Sequence, residues 1–153
     1  MCAQPVDQRP VQVLLVEDSL MQATLVEVAV EELDLLELVH VAEDGEEALA
    51  YLRQEGDFLN AQRPDVILLD LNMPKMNGFE VLQEVKRDEF LRGIPVVMFT
   101  TSELEEDIAK AYEHGASTFF TNLADFDELV RTLEDFGRYW RSAKLAKALP
   151  VGT

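Results

Sequence analysis

Three carboxylates stand out by where the sequence puts them. Asp70 closes the run Asp65-Val66-Ile67-Leu68-Leu69, an unbroken apolar series of the kind that forms a strand buried on both faces, and Pro74 forces a loop soon after. Glu17 and Asp18 directly follow a second such run, Val11–Val16. With both runs in one parallel sheet, all three acids arrive at its carboxyl edge, the side on which open α/β sheets bind ligands. Three like charges in so small a volume repel one another, and a divalent cation taking hard oxygen ligands is what holds such a cluster together. Glu17-Asp18 alone reads as an acidic pair favoured at a helix N-terminus by the helix dipole. Asp70 at the end of another strand turns the pair into a metal-site candidate.

The positioning elements are legible as an alternation of strand-like and helical patterns, which predicts a parallel sheet covered on both faces. Strands are expected at Val11–Val16, Glu37–Val41, Asp65–Leu69, Val96–Phe99 and Thr118–Thr121. Helices are expected at about Ser19 to Glu32, Gly45 to Arg53, Asn77 to Asp88 and Glu103 to His114. Ser19 or Asp18 can cap the first, Asn77 the third and Ser102 the fourth, with Glu105 completing a capping-box spacing. Gly115 stands where a helix-terminating glycine belongs. A fifth helical pattern begins near Asp125 and runs to Ala148, about 36 Å of helix at 1.5 Å per residue.

With 153 residues and no Pro/Gly/Ser-rich divider, the chain reads as one domain. Thirty acidic against thirteen basic residues leave a formal charge of −17, which argues against nucleic acid or an anionic membrane surface as a partner. No apolar run approaches the roughly 20 residues that span a bilayer. Residues 1–10 lack the features of a signal peptide and read as a flexible leader, and the single Cys2 excludes an internal disulfide, so a cytoplasmic location is expected.

Three further motifs agree in order and spacing: Leu71-Asn72-Met73-Pro74-Lys75-Met76-Asn77-Gly78, Ile94-Pro95-Val96-Val97, and Thr100-Thr101-Ser102. With them the chain resembles the receiver domain of two-component response regulators over residues 11–140. Within that family it is most similar to the small single-domain regulators paired with bacterial phytochrome kinases. The resemblance implies a flavodoxin-like (βα)5 doubly wound sheet of strand order 2-1-3-4-5, with residues 141–153 as an extension of the last helix and tail. It implies a signalling protein, not an enzyme in the ordinary sense, one that promotes only its own phosphoryl transfer and dephosphorylation. Asp70 would be the phosphoacceptor, taking its phosphoryl group from a sensor histidine kinase such as a bacteriophytochrome. Mg²⁺ would be held by Asp18, Asp70, the backbone carbonyl of Asn72 and, directly or through water, Glu17. The Thr100 hydroxyl and the Thr101 N–H would contact the phosphoryl group, and Phe119 would be the switch aromatic. Output would pass to a downstream protein that the sequence does not name.

The chain departs from the family pattern at the end of the fifth strand, where Asn122-Leu123 replaces Lys-Pro. An amide is shorter and uncharged, and a charge-assisted hydrogen bond contributes roughly 1 to 2 kcal/mol more than a neutral one. The alternative reading is therefore a receiver-like interaction module insensitive to phosphate. Two other readings are poor fits. An aspartate-nucleophile phosphohydrolase needs a second Asp where Asn72 stands, and a flavin phosphate would be repelled by Glu17-Asp18. In the last helical pattern Leu133, Phe136 and Trp140 make an apolar stripe, and Arg138, Arg141, Lys144 and Lys147 make a basic one. By resemblance this arm implies a homodimer with Leu133, Phe136 and Trp140 in its interface.

Overall fold

Apolar runs buried on both faces build the sheet. The computed structural model of the chain describes residues 10–71, 73, 76–100, 105–121 and 126–148, and only the backbone at residues 100, 105, 118–121 and 143–148. Five parallel strands, β1 (Val11–Val16), β2 (Leu36–Ala42), β3 (Val66–Asp70), β4 (Val96–Thr100) and β5 (Thr118–Thr121), lie in the order β2-β1-β3-β4-β5. The helices between and after them are α1 (Leu20–Glu31), α2 (Gly45–Leu52), α3 (Gly78–Arg87), α4 (Glu105–Glu113) and α5 (Phe126–Ala148). Val11, Val13 and Leu15 of β1, Val66 and Leu68 of β3, and Val97 and Phe99 of β4 pack under α1 and α5. Leu14, Val16, Ile67, Leu69, Val96 and Met98 pack on the other face under α2, α3 and Ala111 of α4. This is the doubly wound flavodoxin-like arrangement that the resemblance implies.

Helix starts follow the expected capping chemistry where they are described. Ser19, not Asp18, caps α1 by accepting from the Gln22 N–H, and Asn77 caps α3 by accepting from Glu80 N–H at 3.0 Å. Asp44 caps α2 in the same way at 2.8 Å, and Gly115 ends α4 with φ of +98°. Ser102 lies outside the described residues. Two features have no counterpart in the sequence pattern, a short 3-10 turn at Gly56–Phe58 and a register shift of β2 opposite Val13/Leu14. The shift leaves Val39 unmatched, so Val39 packs on the α2/α3 face while the adjacent His40 stacks on Tyr51 of α2 at 4.8 Å.

The C-terminal helix has close to the expected length, and it is the burial of its apolar stripe that differs from expectation. It runs 23 residues without interruption through Gly137, about 35 Å. Gly137 forms a close seat, since a Cβ there would lie 2.8 Å from Leu35 Cβ and 3.3 Å from the Leu36 side chain. Leu133 and Phe136 are only 2% and 3% exposed, buried in the chain's own core between α5, α1 and the sheet. They are therefore core residues and leave no surface for a second copy, which corrects their assignment to a dimer interface. Trp140 is half-buried and packs back on the same cluster, edge-on to Phe136, while its neighbour Tyr139 is exposed.

Candidate functional site

The sheet register brings the acids together. Val16 pairs with Leu69, so Glu17 and Asp70 stand side by side one step beyond the matched pair. Their positions continue the odd series of β1 and the even series of β3, the parity that faces α1 and α5. Backbone hydrogen bonds fix both: Glu17 N–H donates to the Ala42 carbonyl at 2.9 Å, and Leu71 N–H donates to the Phe99 carbonyl at 3.3 Å. One carboxylate oxygen from each of Glu17, Asp18 and Asp70 lies within 4.8 Å of the others. Glu17 and Asp70 are buried, at 4% and 8% exposure, and Asp18 is exposed, so the cluster is a lined recess open to solvent on one side.

The electrostatics are strained in one direction. Glu17 is pushed up to about 9, first by burial, then by its hydrogen bond with Asp70 and the negative charges of Asp70 and Asp18. Its Oε2 is buried with no hydrogen-bond partner. A buried, orphaned carboxylate oxygen beside two more carboxylates is a donor set of hard oxygens, which fits a divalent cation of the Mg²⁺ or Mn²⁺ kind.

A pH dependence follows. With its folded value raised above the ordinary carboxyl range, Glu17 keeps a proton in the metal-free folded protein that the unfolded chain has lost. Stability should therefore fall as pH rises from the ordinary range through about 9. In EDTA, thermal unfolding from about pH 6 to about pH 9 should show a steeper loss for wild type than for Glu17→Gln, and excess Mg²⁺ should flatten the wild-type curve. Parallel curves for the two proteins in EDTA would show that Glu17 is not the group responsible.

The remaining expected site residues are placed only in part. Thr100 ends β4 beside Thr121, and Phe119 lies on β5 paired with Met98, both described by backbone alone. Asn72, Thr101 and Asn122, with Lys75 and Leu123, lie outside the described residues. Two features of the site do not show in the sequence pattern. Gly78, the first residue of α3, sits so close to the end of β3 that a Cβ would be 2.6 Å from the Asp70 carbonyl oxygen and 2.8 Å from Leu71 Cα. A glycine at a helix start, where propensity disfavours it, is the one available signal. Leu20 and Met21, next after the acidic pair and its cap, are 82% and 72% exposed.

Comparison with known proteins agrees with this geometry. The response regulator receiver domain family matches residues 13–134. Response regulator Rcp1 of Synechocystis sp. is 40% identical over 130 residues, 83% of this chain and 88% of that one. The Mn²⁺-bound form of Rcp1 superposes with a TM-score of 0.77 at 38% identity, covering 86% of this chain and 94% of that one. The phosphorylated cyanobacterial phytochrome response regulator RcpA gives 0.80 at 41% identity, covering 88% and 96%. The bacteriophytochrome response regulator AtBRR gives 0.69 at 41% identity, covering 86% and 95%.

Proposed function

Because the chain belongs to the response regulator receiver domain family, we propose that it is a phosphorylatable signalling switch whose acceptor is Asp70. The observation that carries this reading is the buried Asp70 carboxylate at the sheet's carboxyl edge, within 4.8 Å of Glu17 and Asp18 and beside an orphaned Glu17 oxygen. An Asp70 oxygen attacks the phosphorus of a phosphohistidine on a partner kinase, the phosphorus–nitrogen bond breaks, and the imidazole leaves with the electron pair. Asp18, Asp70, the Asn72 carbonyl and Glu17 would hold Mg²⁺, which supplies positive charge for both the acids and the incoming phosphoryl oxygens. The Thr100 hydroxyl and the Thr101 N–H donate hydrogen bonds to the phosphoryl oxygens in this reading, and Phe119 is the aromatic that follows Thr100. The similarity to the phytochrome regulators supports a bacteriophytochrome as the kinase.

Incubation with acetyl phosphate and Mg²⁺, followed by mass measurement of the intact chain, tests the assignment. A phosphoryl adduct on Asp70 supports it. No adduct under conditions that label other receivers supports the second reading, a phosphate-insensitive interaction module, which Asn122-Leu123 in place of Lys-Pro favours.

The exposed Leu20 and Met21 beside the acids give the partner an apolar place to dock. Changing both to Ser should slow transfer from a phosphorylated kinase by roughly tenfold, about 1.4 kcal/mol of transition-state binding. Labelling by acetyl phosphate, which needs no docking, should be unchanged. Equal slowing with both donors would mean that the change disturbs the site itself.

A further inference from the structure

We propose that the end of the sheet opposite Asp70 carries a second binding site, a pocket in which Arg63 holds the carboxylate of a small aromatic acid against Phe90. A cavity of about 400 Å³ opens there between the end of α2, the segment leading into β3 and the loop between α3 and β4. That volume lies in the range of small-molecule sites. Its walls include Tyr51, Arg53, Arg63, Asp88, Phe90 and Leu91.

The hydrogen-bonding capacity of the walls decides the ligand's chemistry. Asp88, the one carboxylate among these walls, accepts the Phe90 N–H at 2.8 Å and lies 3.7 Å from Arg53. Arg53 is also paired with Glu84 at 3.3 Å, so its charge is offset. The Tyr51 hydroxyl donates to the Gln62 carbonyl at 2.8 Å. Arg63 differs. Its Nη1 donates to the Phe90 carbonyl at 2.7 Å, and among the described residues no carboxylate lies within 4.0 Å of it. A guanidinium has five N–H donors in a planar fork suited to a carboxylate, and this side chain is exposed, so a ligand can reach the donors not given to Phe90. The chain's overall charge of −17 does not cancel it, because at physiological salt a charge is screened over about 8 Å.

The apolar wall is preformed. Phe90 is 74% exposed although its loop is tightly bonded: Leu91 and Arg92 N–H both donate to the Asp88 carbonyl, and Lys86 Nζ donates to the Arg92 carbonyl at 3.2 Å. A large ring held out by an ordered backbone, beside a guanidinium with no carboxylate within 4.0 Å among the described residues, suits a flat apolar body carrying one carboxylate.

Titration of the full ¹⁵N-labelled chain with 2-naphthoate, read as amide shifts, tests this. Saturable shifts are expected at Arg53, Gln54, Arg63 and Phe90, with the neutral analogue 2-naphthamide about tenfold weaker or worse. Arg63→Ala should weaken 2-naphthoate by about tenfold, and Arg63→Lys by less. Because Arg63 also ties the loop, Phe90→Ser serves as a second variant at an exposed position, and it should weaken binding without lowering the melting temperature. The proposal is overturned if no saturable shift appears, if the amide binds as well as the acid, or if Phe90→Ser binds unchanged.

Discussion

Asp70→Asn is expected to abolish phosphoryl uptake from acetyl phosphate and from any phosphorylated kinase, because the amide oxygen is far too weak a nucleophile to displace acetate or imidazole. The same change should leave the fold intact and raise the melting temperature of the metal-free protein. It removes the charge that stands against Glu17 within the 4.8 Å cluster, and it is the Asp70 carboxylate that, after burial, contributes most to the raised Glu17 value. Relief of even 1 kcal/mol corresponds to roughly 2 to 4 °C in a domain of this size. The two readouts separate chemistry from structure. Intact-mass labelling that persists in Asp70→Asn would place the acceptor elsewhere. A variant that loses labelling and melts lower would mean that Asp70 is a structural carboxylate whose loss deforms the site.

Gly78→Ala should have the second largest effect, and with a sign opposite to the usual one. In an ordinary helix, replacing glycine with alanine stabilises by about 0.5 to 1 kcal/mol. Here the added Cβ would meet the Asp70 carbonyl oxygen at 2.6 Å, Leu71 Cα at 2.8 Å and Met98 Cε at 2.8 Å. The Met98 tip can move; the two backbone atoms cannot move without shifting the acceptor. Overpacking of this kind costs about 1 to 3 kcal/mol, a loss of roughly 2 to 12 °C. Labelling should slow at the same time. Gly93→Ala, where a Cβ would meet nothing within 4 Å, is the matched control and should change neither quantity appreciably. Equal melting temperatures for the two variants would show that α3 tolerates a wider approach to β3 than its geometry implies.

Much of the site is legible in the residues alone, for a physical reason: strand periodicity is two, so a continuous apolar run both announces a buried strand and fixes which residues leave it on each face. Glu17 and Asp70 inherit their common side from Leu15 and Leu68. The role of Gly78 is not legible in that way, because it depends on how closely α3 approaches a strand that precedes it by a loop. Nor does the stripe of Leu133 and Phe136 reveal what covers it. Three- and four-residue spacing says that a helix face is buried, and it is silent on whether the covering surface belongs to the same chain or to another. The β2 irregularity that turns His40 toward Tyr51 is likewise a matter of one unmatched residue, invisible to a pattern read over several.

The seat of Gly137 on Leu35 and Leu36 falls at the midpoint of α5, eleven residues from Phe126 and eleven from Ala148. That close contact at the centre of the helix divides it into arms of about 16 Å each. One arm begins where the chain leaves β5, near the carboxyl edge that bears Asp70; the other carries Arg138, Trp140 and the basic end. The first arm is anchored in the core by Leu129, Leu133 and Phe136, so a shift of α5 at the carboxyl edge must be carried past the Gly137 contact to reach the basic end.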